Sequence, residues 1–229
     1  MDKNDKARVS DTNWELGDGL TMEDRKPPEG EINAKRINIV DDNGNVRLAL
    51  FNGTNVPDAV LDGQVVKRSV DLSGMAGMTF YNEDGEECGG LIYGNKRAVL
   101  AFGQYRQDEI LGLSYHERDG KRQYGLYLEE RSNIPLTEVF SKVMPVMKMD
   151  DGPEKKEALE KLRGQGYFGV PRLSVERRYE GEVSVELADS KGQPRLRMKV
   201  DTDDNPIIEF LNSRGEVVYK LPPSGIDMD

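Results

Sequence analysis

The chain has 229 residues, of which 36% are hydrophobic and 32% charged, and its formal net charge is −10. This length corresponds to one large domain or two small ones, and the apolar fraction suffices for a core if each strand buries only one face. An acidic chain repels phosphate backbones, so we expect no nucleic acid among its partners.

The counts of cysteine and histidine restrict the chemistry further. Cys88 and His116 are the only residues of their types, so zinc, copper and non-haem iron sites lack their usual ligands, and we expect no metal and no cofactor. A carboxylate-rich calcium or magnesium site stays open at this point. The beginning of the chain has no signal-peptide pattern and no stretch is apolar enough to span a bilayer, which predicts a cytoplasmic protein without membrane contact.

A hairpin unit recurs after a polar segment, residues 1–30, that we expect to be a mobile tail. Each copy has alternating apolar residues, then an Asp/Asn-x-x-Gly turn, then alternation again. Asp or Asn opens the turn by bonding its own backbone, and Gly supplies the positive φ that closes it. The four copies are KRINIVDDNGNVRLAL (35–50), GMTFYNEDGEECGGLIY (77–93), SVELADSKGQPRLRMKV (184–200) and IIEFLNSRGEVVYKL (207–221).

Pairing residues across these turns gives each unit one apolar and one polar face. A four-residue loop at 189–192 predicts that Leu187 lies opposite Pro194 and that Glu186 lies opposite Arg195. The same register predicts two further apolar pairs, Ile39 with Val46 and Phe210 with Val217. Opposite charges directly across the ladder would contribute roughly 0.2–1 kcal/mol per pair.

The rest of the chain supplies more strands and a helical segment. Alternation predicts strands over 98–105, 109–117, 123–130 and 173–180, whereas 136–163 has helical spacing, with Pro153 where a helix would begin. We therefore predict an all-β antiparallel meander of repeated hairpins, a barrel-like or otherwise wrapped sheet with one or two short helices. Barrel, sandwich, ring and open stack all fit this pattern. The predicted regions are hairpins over 31–131, a helical connection over 132–170, hairpins over 171–222 and a tail over 223–229.

The repeated residues resemble a family of uncharacterised bacterial all-β proteins. The shared patterns are K-R-I-N-x-x-D-x-N-G-x-x-R and F-x-N-E-x-G-x-E-x-G-G-L, and the resemblance covers about residues 31–130 and 180–222. It implies an all-β fold but brings no activity, cofactor or partner with it.

The unit at 77–93 departs from the other three. When the turns are aligned, Glu87 takes the position of an apolar residue, and Gly89 and Gly90 follow where bulk is expected. One interpretation is a pocket over 87–90 in which Glu87, with a pKa raised by burial, acts as a general acid or base. The alternative is a bulge at Glu86–Glu87 that flips the register and places both carboxylates in water.

Other side chains on neighbouring strands are candidates for lining this pocket. His116 has a second interpretation as a solvated turn residue, and Cys88 as a small buried hydrophobe. The candidate catalytic residues are Glu87, His116, Tyr105 and Asp108. The candidate ligand-binding residues are Glu86, Cys88, Gly89, Gly90, Tyr81 and Gln104.

Three functions compete on these grounds. The first is a β scaffold that binds a small, largely apolar molecule near 87–90. The second is a metal-independent acid–base enzyme, such as an isomerase, cyclase or lyase, that uses the same pocket. The third is a structural or interaction protein that pairs through exposed strand edges. Homo-oligomerisation stays open in all three.

Overall fold

Antiparallel strands dominate the computed structural model, which describes residues 30–67 and 71–223. The predicted tail over 1–30 lies almost wholly outside these residues, as do positions 224–229 of the predicted C-terminal tail. The strands are β1 Arg36–Val40, β2 Val46–Asn52, β3 Ala59–Leu61, β4 Gln64–Val66, β5 Ala76–Tyr81, β6 Glu87–Tyr93, β7 Arg97–Gly103, β8 Glu109–Arg118, β9 Lys121–Glu130, β10 Val170–Arg177, β11 Val183–Ala188, β12 Pro194–Val200, β13 Pro206–Leu211 and β14 Val217–Leu221.

In the described residues, twelve strands form one sheet in the order β1-β2-β5-β6-β7-β8-β9-β10-β11-β12-β13-β14. Every neighbouring pair is antiparallel, and β3 and β4 form a separate two-stranded hairpin. The predicted all-β meander is therefore confirmed, and of the predicted forms it is the open one, because β1 and β14 lie at opposite edges. The two predicted hairpin regions belong to this single sheet.

The four predicted hairpins all form, but their partners lie two residues from the predicted register. Leu187 faces Leu196 instead of Pro194, and Glu186 faces Arg197 instead of Arg195. The corresponding pairs are Ile39 with Leu48 and Phe210 with Tyr219. One residue of this shift is a bulge just beyond the turn in the second strand of each hairpin, and the other is a fifth residue in the turn itself. Beyond the bulge, a shift of two residues keeps the side chains on their predicted faces. Val46, Pro194 and Val217 lie between turn and bulge and are on the other face from the one predicted.

The turns supply the other extra residue. The amide of Asp41 donates to the carbonyl of Asn45, and the amide of Gly44, with φ +83°, donates back to the carbonyl of Asp41. The Asp41 carboxylate accepts from the amides of Asn43 and Asn45. The same side-chain bonds open the turns at Asn82, Asp189, Asp201 and Asn212. Five residues thus form each of these turns, one more than the predicted loop.

Two helices, α1 Leu136–Met147 and α2 Pro153–Gly164, lie between β9 and β10 in sequence. Both were predicted, and α2 begins at Pro153, where a missing N–H costs nothing. β9 and β10 still pair directly, so the helices are an excursion from a continuous sheet.

The buried core lies on one face of the sheet. Ala49 on β2, Thr79 on β5 and Ala101 on β7 are at most 3% exposed. In the segments between strands, Leu72, Leu136, Val139 and Leu162 are buried as well. The N-terminal part of this face is thus covered. We call the whole face that bears Ala49, Thr79 and Ala101 the opposite face, to distinguish it from the apolar face on the other side of the sheet.

Candidate functional site: the apolar sheet face

The other face of the sheet carries uninterrupted rows of apolar side chains. Register partners lie side by side on one face of a sheet, so a row can be followed from strand to strand. One such row crosses all twelve strands as Ile37, Leu50, Met78, Leu91, Leu100, Leu113, Leu126, Val175, Val185, Met198, Ile208 and Leu221. We call the face that bears this row the apolar face.

A second complete row lies two residues along each strand. Its members are Ile39, Leu48, Phe80, Gly89, Phe102, Leu111, Leu128, Leu173, Leu187, Leu196, Phe210 and Tyr219. Gly89 is the one member without an apolar side chain. The alternation in the sequence therefore serves a single surface that extends across the whole sheet.

Much of this surface is exposed to solvent. Leu113, Val175 and Met198, in the middle of the first row, keep 50%, 39% and 40% of their surface accessible. Further large apolar side chains of the same face are exposed to a similar degree: Ile37, Ile39, Tyr93, Phe102, Tyr124, Val183, Leu187, Val200, Phe210, Tyr219 and Leu221. Isolated exposed apolar residues are ordinary on proteins, whereas a contiguous set of this kind marks an interaction surface.

The missing bulk at Gly89 is supplied by its neighbours in the row. The rings of Phe80 and Phe102 flank Gly89 and stack on each other, with centroids 5.9 Å apart and planes inclined by 17°. Gly89 itself has φ +147°, and an added Cβ would lie 2.4 Å from the carbonyl oxygen of Ala101. Only glycine fits this backbone, and the two rings close the space over it.

Two shallow concavities lie on the apolar face. One, of about 600 Å³, spans β6 to β11, with Leu100, Leu113 and Leu126 among its lining residues. The other, of about 560 Å³, spans β11 to β14 and is lined in part by Val185 and Met198. Neither is lined by Glu87, Gly89 or Gly90.

Charged side chains lie away from these rows. On the opposite face, Arg197 bridges Glu186 and Glu209 with N–O distances of 2.5 and 3.1 Å. On the apolar face, Glu117 and Arg122 form an ion pair at the ends of β8 and β9. Apolar rows with charged groups at the margin are the usual anatomy of a protein interface.

The structure gathers most of the sequence-predicted site residues at one end of the sheet, which we call the Glu86 end. It comprises the turns 82–86 and 104–108 with the adjoining strand ends. Tyr81, Glu86, Glu87, Cys88, Gly89, Gly90, Gln104, Tyr105 and Asp108 all lie there. His116 does not, because it sits seven residues along β8 from Glu109, which at about 3.4 Å per residue is roughly 24 Å away.

Glu86, and not Glu87, is the buried carboxylate. Glu87 pairs with Tyr81, and the register shifts before Phe80 pairs with Gly89, which places Glu87 on the opposite face. A bulge is therefore present, but its extra residue is Cys88 and does not lie at the predicted Glu86–Glu87, and the placement of Glu87 on the apolar face is wrong. Glu86 is only 7% exposed, so the expectation that the bulge places both carboxylates in water is also wrong. Its Oε2 is buried without a hydrogen-bond partner.

Polar contacts around Glu86 tie together segments that are distant in sequence. Asp62, in the β3–β4 turn, accepts hydrogen bonds from Arg106 (Nε–Oδ1 2.5 Å) and from the hydroxyl of Thr137 at the start of α1. The bond from Thr137 and the ion pair with Arg106 hold the pKa of Asp62 below its usual 3.8, against the opposing effect of burial. The Tyr105 hydroxyl donates to Asp84 at 2.8 Å, which raises the pKa of this tyrosine.

A second acid–base pair at the same end was not predicted from sequence. The Tyr127 hydroxyl lies 3.3 Å from Oε2 of Glu109. Burial, followed by the charge of Glu109, raises the pKa of Tyr127 to about 12. Glu109 as a whole residue is exposed, but its carboxyl group is partly buried. This burial and the charge of the neighbouring Asp108 raise the pKa of the carboxyl as well. The residue in the sequence that could have indicated this pair is Gly112. It lies directly opposite Tyr127 on β8 and leaves room for the tyrosine ring.

Cys88 is half-buried, and this burial, with the charges of Glu83 and Glu87, raises the pKa of its thiol. A raised pKa lowers the thiolate fraction at neutral pH, so the thiol reacts slowly. His116 lies far from Cys88 along the strands, and the position fits the interpretation of Cys88 as a small apolar residue.

The two comparisons with known proteins find no relatives. No family model matches the chain, and no curated protein matches it. The resemblance to the bacterial all-β family therefore stays a prediction. Within residues 30–67 and 71–223, no helix has the length and apolarity needed to cross a membrane.

Proposed function

We propose that this protein is a structural interaction protein that binds through the apolar face of its sheet. The observation that carries the proposal is the pair of apolar rows that cross twelve strands, with ten of their members at least 36% exposed. Of the three functions that the sequence predicts, this is the interaction protein, with its contact surface moved from the strand edges to the sheet face.

The size of the surface supports this assignment. On β6 to β14, twelve large apolar side chains of the apolar face have a mean exposure of about 45%. With about 200 Å² for each fully exposed side chain, they present on the order of 1,000 Å² of apolar surface. The largest patch on an ordinary monomer is about 300–600 Å², and a standard interface takes about 800 Å² from each partner.

The concavity over β6 to β11 favours a second candidate, the small apolar ligand predicted from sequence. Its volume of about 600 Å³ falls in the range of ligand pockets, which run from about 300 to 1,000 Å³. Its position, around Leu113 and Leu126, differs from the predicted one at 87–90. Such a ligand would cover only part of the exposed rows, so we place this candidate second. The acid–base enzyme stays a prediction.

Thiol labelling tests whether the apolar face is covered in the working protein. In a Cys88→Ser background, a cysteine is placed at Leu113 on the apolar face or at Val65 on the β3–β4 hairpin. These positions are 50% and 69% exposed, so on an uncovered protein the two thiols should react with maleimide at rates within roughly a factor of two.

We expect the Leu113→Cys thiol to react at least tenfold more slowly than the Val65→Cys thiol when full-length protein is labelled in the lysate of the cells that express it. Both variants should give the wild-type circular dichroism spectrum. Equal labelling rates at the two positions would refute the proposal, because they would mean that the apolar face is open to solvent.

A further inference from the structure

We infer that the occupant of the apolar face is a second copy of this chain, packed sheet against sheet. This inference rests on the proposed function and adds the identity of the partner. It is carried by two properties of the face, its width and its charge, and the common hand of twist of β-sheets is compatible with it.

The width of the face requires a partner of sheet size. From β6 to β14 the exposed rows cross nine strands, which at about 4.8 Å between strands is roughly 38 Å. A single extended peptide covers one or two strand spacings, and a small molecule covers one concavity. A second copy presents the same nine strands, and two such faces would remove on the order of 2,000 Å² of apolar surface from water, the range of permanent homodimers.

The charge distribution permits two copies to meet on this face. The chain carries a net charge of −10, so two copies repel each other through most of their surface. The apolar rows contain no charged residue, and Glu117 and Arg122 at the margin neutralise each other at 3.1 Å. Arg177 also belongs to this face, and its guanidinium donates to the carbonyl of Arg122. The two apolar rows can therefore meet those of a second copy without bringing like charges of the rows together.

The twist of the sheet is matched between copies because both have the same sequence and hand. Sheets of equal twist pack face to face at about −30° and about 10 Å apart, with their side chains interdigitating. A two-fold axis makes the contact isologous, so each patch meets its counterpart. β10 is the central strand of the exposed region, which places Val175 nearest the axis in such a pair.

Two valine substitutions test the inference in the full-length chain. Val175, 39% exposed, lies at the centre of the apolar face, and Val65, 69% exposed, lies on the β3–β4 hairpin outside it. The mass in solution is measured by light scattering at micromolar concentration, and the dimer dissociation constant by analytical ultracentrifugation. We expect wild-type and Val65→Glu proteins to be dimers, and Val175→Glu to raise the dissociation constant by roughly 30-fold or more, as an interface hot spot does.

The remaining outcomes separate the inference from the proposed function. If the wild-type protein is a monomer but the thiol of the Leu113→Cys variant is protected in the lysate, the second copy is overturned as the occupant. The proposed interaction function then still stands. If the wild-type protein is a monomer and the thiol of the Leu113→Cys variant is unprotected, both the second copy and the proposed function are overturned. If Val175→Glu does not fold, the labelling rate of a Val175→Cys thiol in the purified dimer is measured in its place. We expect that thiol to be protected, and rapid labelling counts against the inference.

Discussion

Arg197 is the position at which the forces on the opposite face can be measured most directly. Its guanidinium lies between Glu186 on β11 and Glu209 on β13, so one side chain joins three strands. These contacts raise the pKa of Arg197 although burial by itself lowers it. Arg197→Met keeps most of the aliphatic stem and removes the charge, leaving two carboxylates without their shared partner.

The expected cost of this substitution follows from the geometry. Hydrogen bonds to charged groups contribute about 1.5–3 kcal/mol each when fully protected, but the side chains of Arg197, Glu186 and Glu209 are 23%, 18% and 12% exposed, so water screens part of this. We expect the free energy of unfolding to fall by about 2 kcal/mol. For a chain of this size that corresponds to a Tm lower by about 4–8 °C.

Urea unfolding followed by circular dichroism, at one fixed protein concentration, measures this difference. Arg214→Met is the matched control, because Arg214 pairs with Glu216 in a turn where their side chains are 76% and 58% exposed. Such a surface pair contributes at most about 1 kcal/mol. Equal losses in the two variants would refute the view that the bridging arginine stabilises the sheet more than a surface ion pair does.

Three further predictions concern the Glu86 end. Gly89→Ala should lower the free energy of unfolding by about 3 kcal/mol in urea, because φ +147° and the contact with Ala101 both oppose a Cβ; a change below about 0.5 kcal/mol would contradict the backbone at this position. Asp62 has a lowered pKa in the folded state, so its stabilisation is complete above the unfolded value near 3.8 and is lost as the pH falls through the folded value. The Tm difference between wild type and Asp62→Asn should therefore be largest near neutral pH and shrink below about pH 4; a difference independent of pH would contradict this. Absorbance titration should show a tyrosine that ionises near pH 12, and Tyr127→Phe should remove it; an unchanged titration curve would be the contrary result.

Local sequence was sufficient to predict the hairpins and their faces. An Asp or Asn three residues before Gly bonds its own backbone, and the strands on each side alternate, so the unit at 184–200 could be recognised without its surroundings. The bulge at Arg195 could not be recognised in this way, because together with the fifth turn residue it shifts the register by two, which leaves the alternation of apolar residues beyond it intact. The partners were therefore assigned two positions away from their true places.

Properties that depend on several strands at once were harder to predict. Whether the sheet closes depends on small twists summed over twelve strands, which no single hairpin reveals. Glu86 is buried at the end of the sheet where the turn 104–108, distant in sequence, also lies. His116 is predicted to lie with Glu87 because it is on a nearby strand, yet the length of β8 separates them.

The strand order has a consequence for how the protein gains its stability. Strands that are adjacent in the sheet are, apart from the β3–β4 hairpin and the two helices, also consecutive in the chain, and packing contacts run between neighbours. The sheet therefore resembles a linear array, in which stability is a sum of units and nearest-neighbour couplings. β1 and β14 each pair with one neighbouring strand, whereas β8 and β9 each pair over most of their length with two neighbouring strands. Opening should accordingly begin at the two edges and travel inward, and amide hydrogen exchange should slow progressively towards the centre of the sheet.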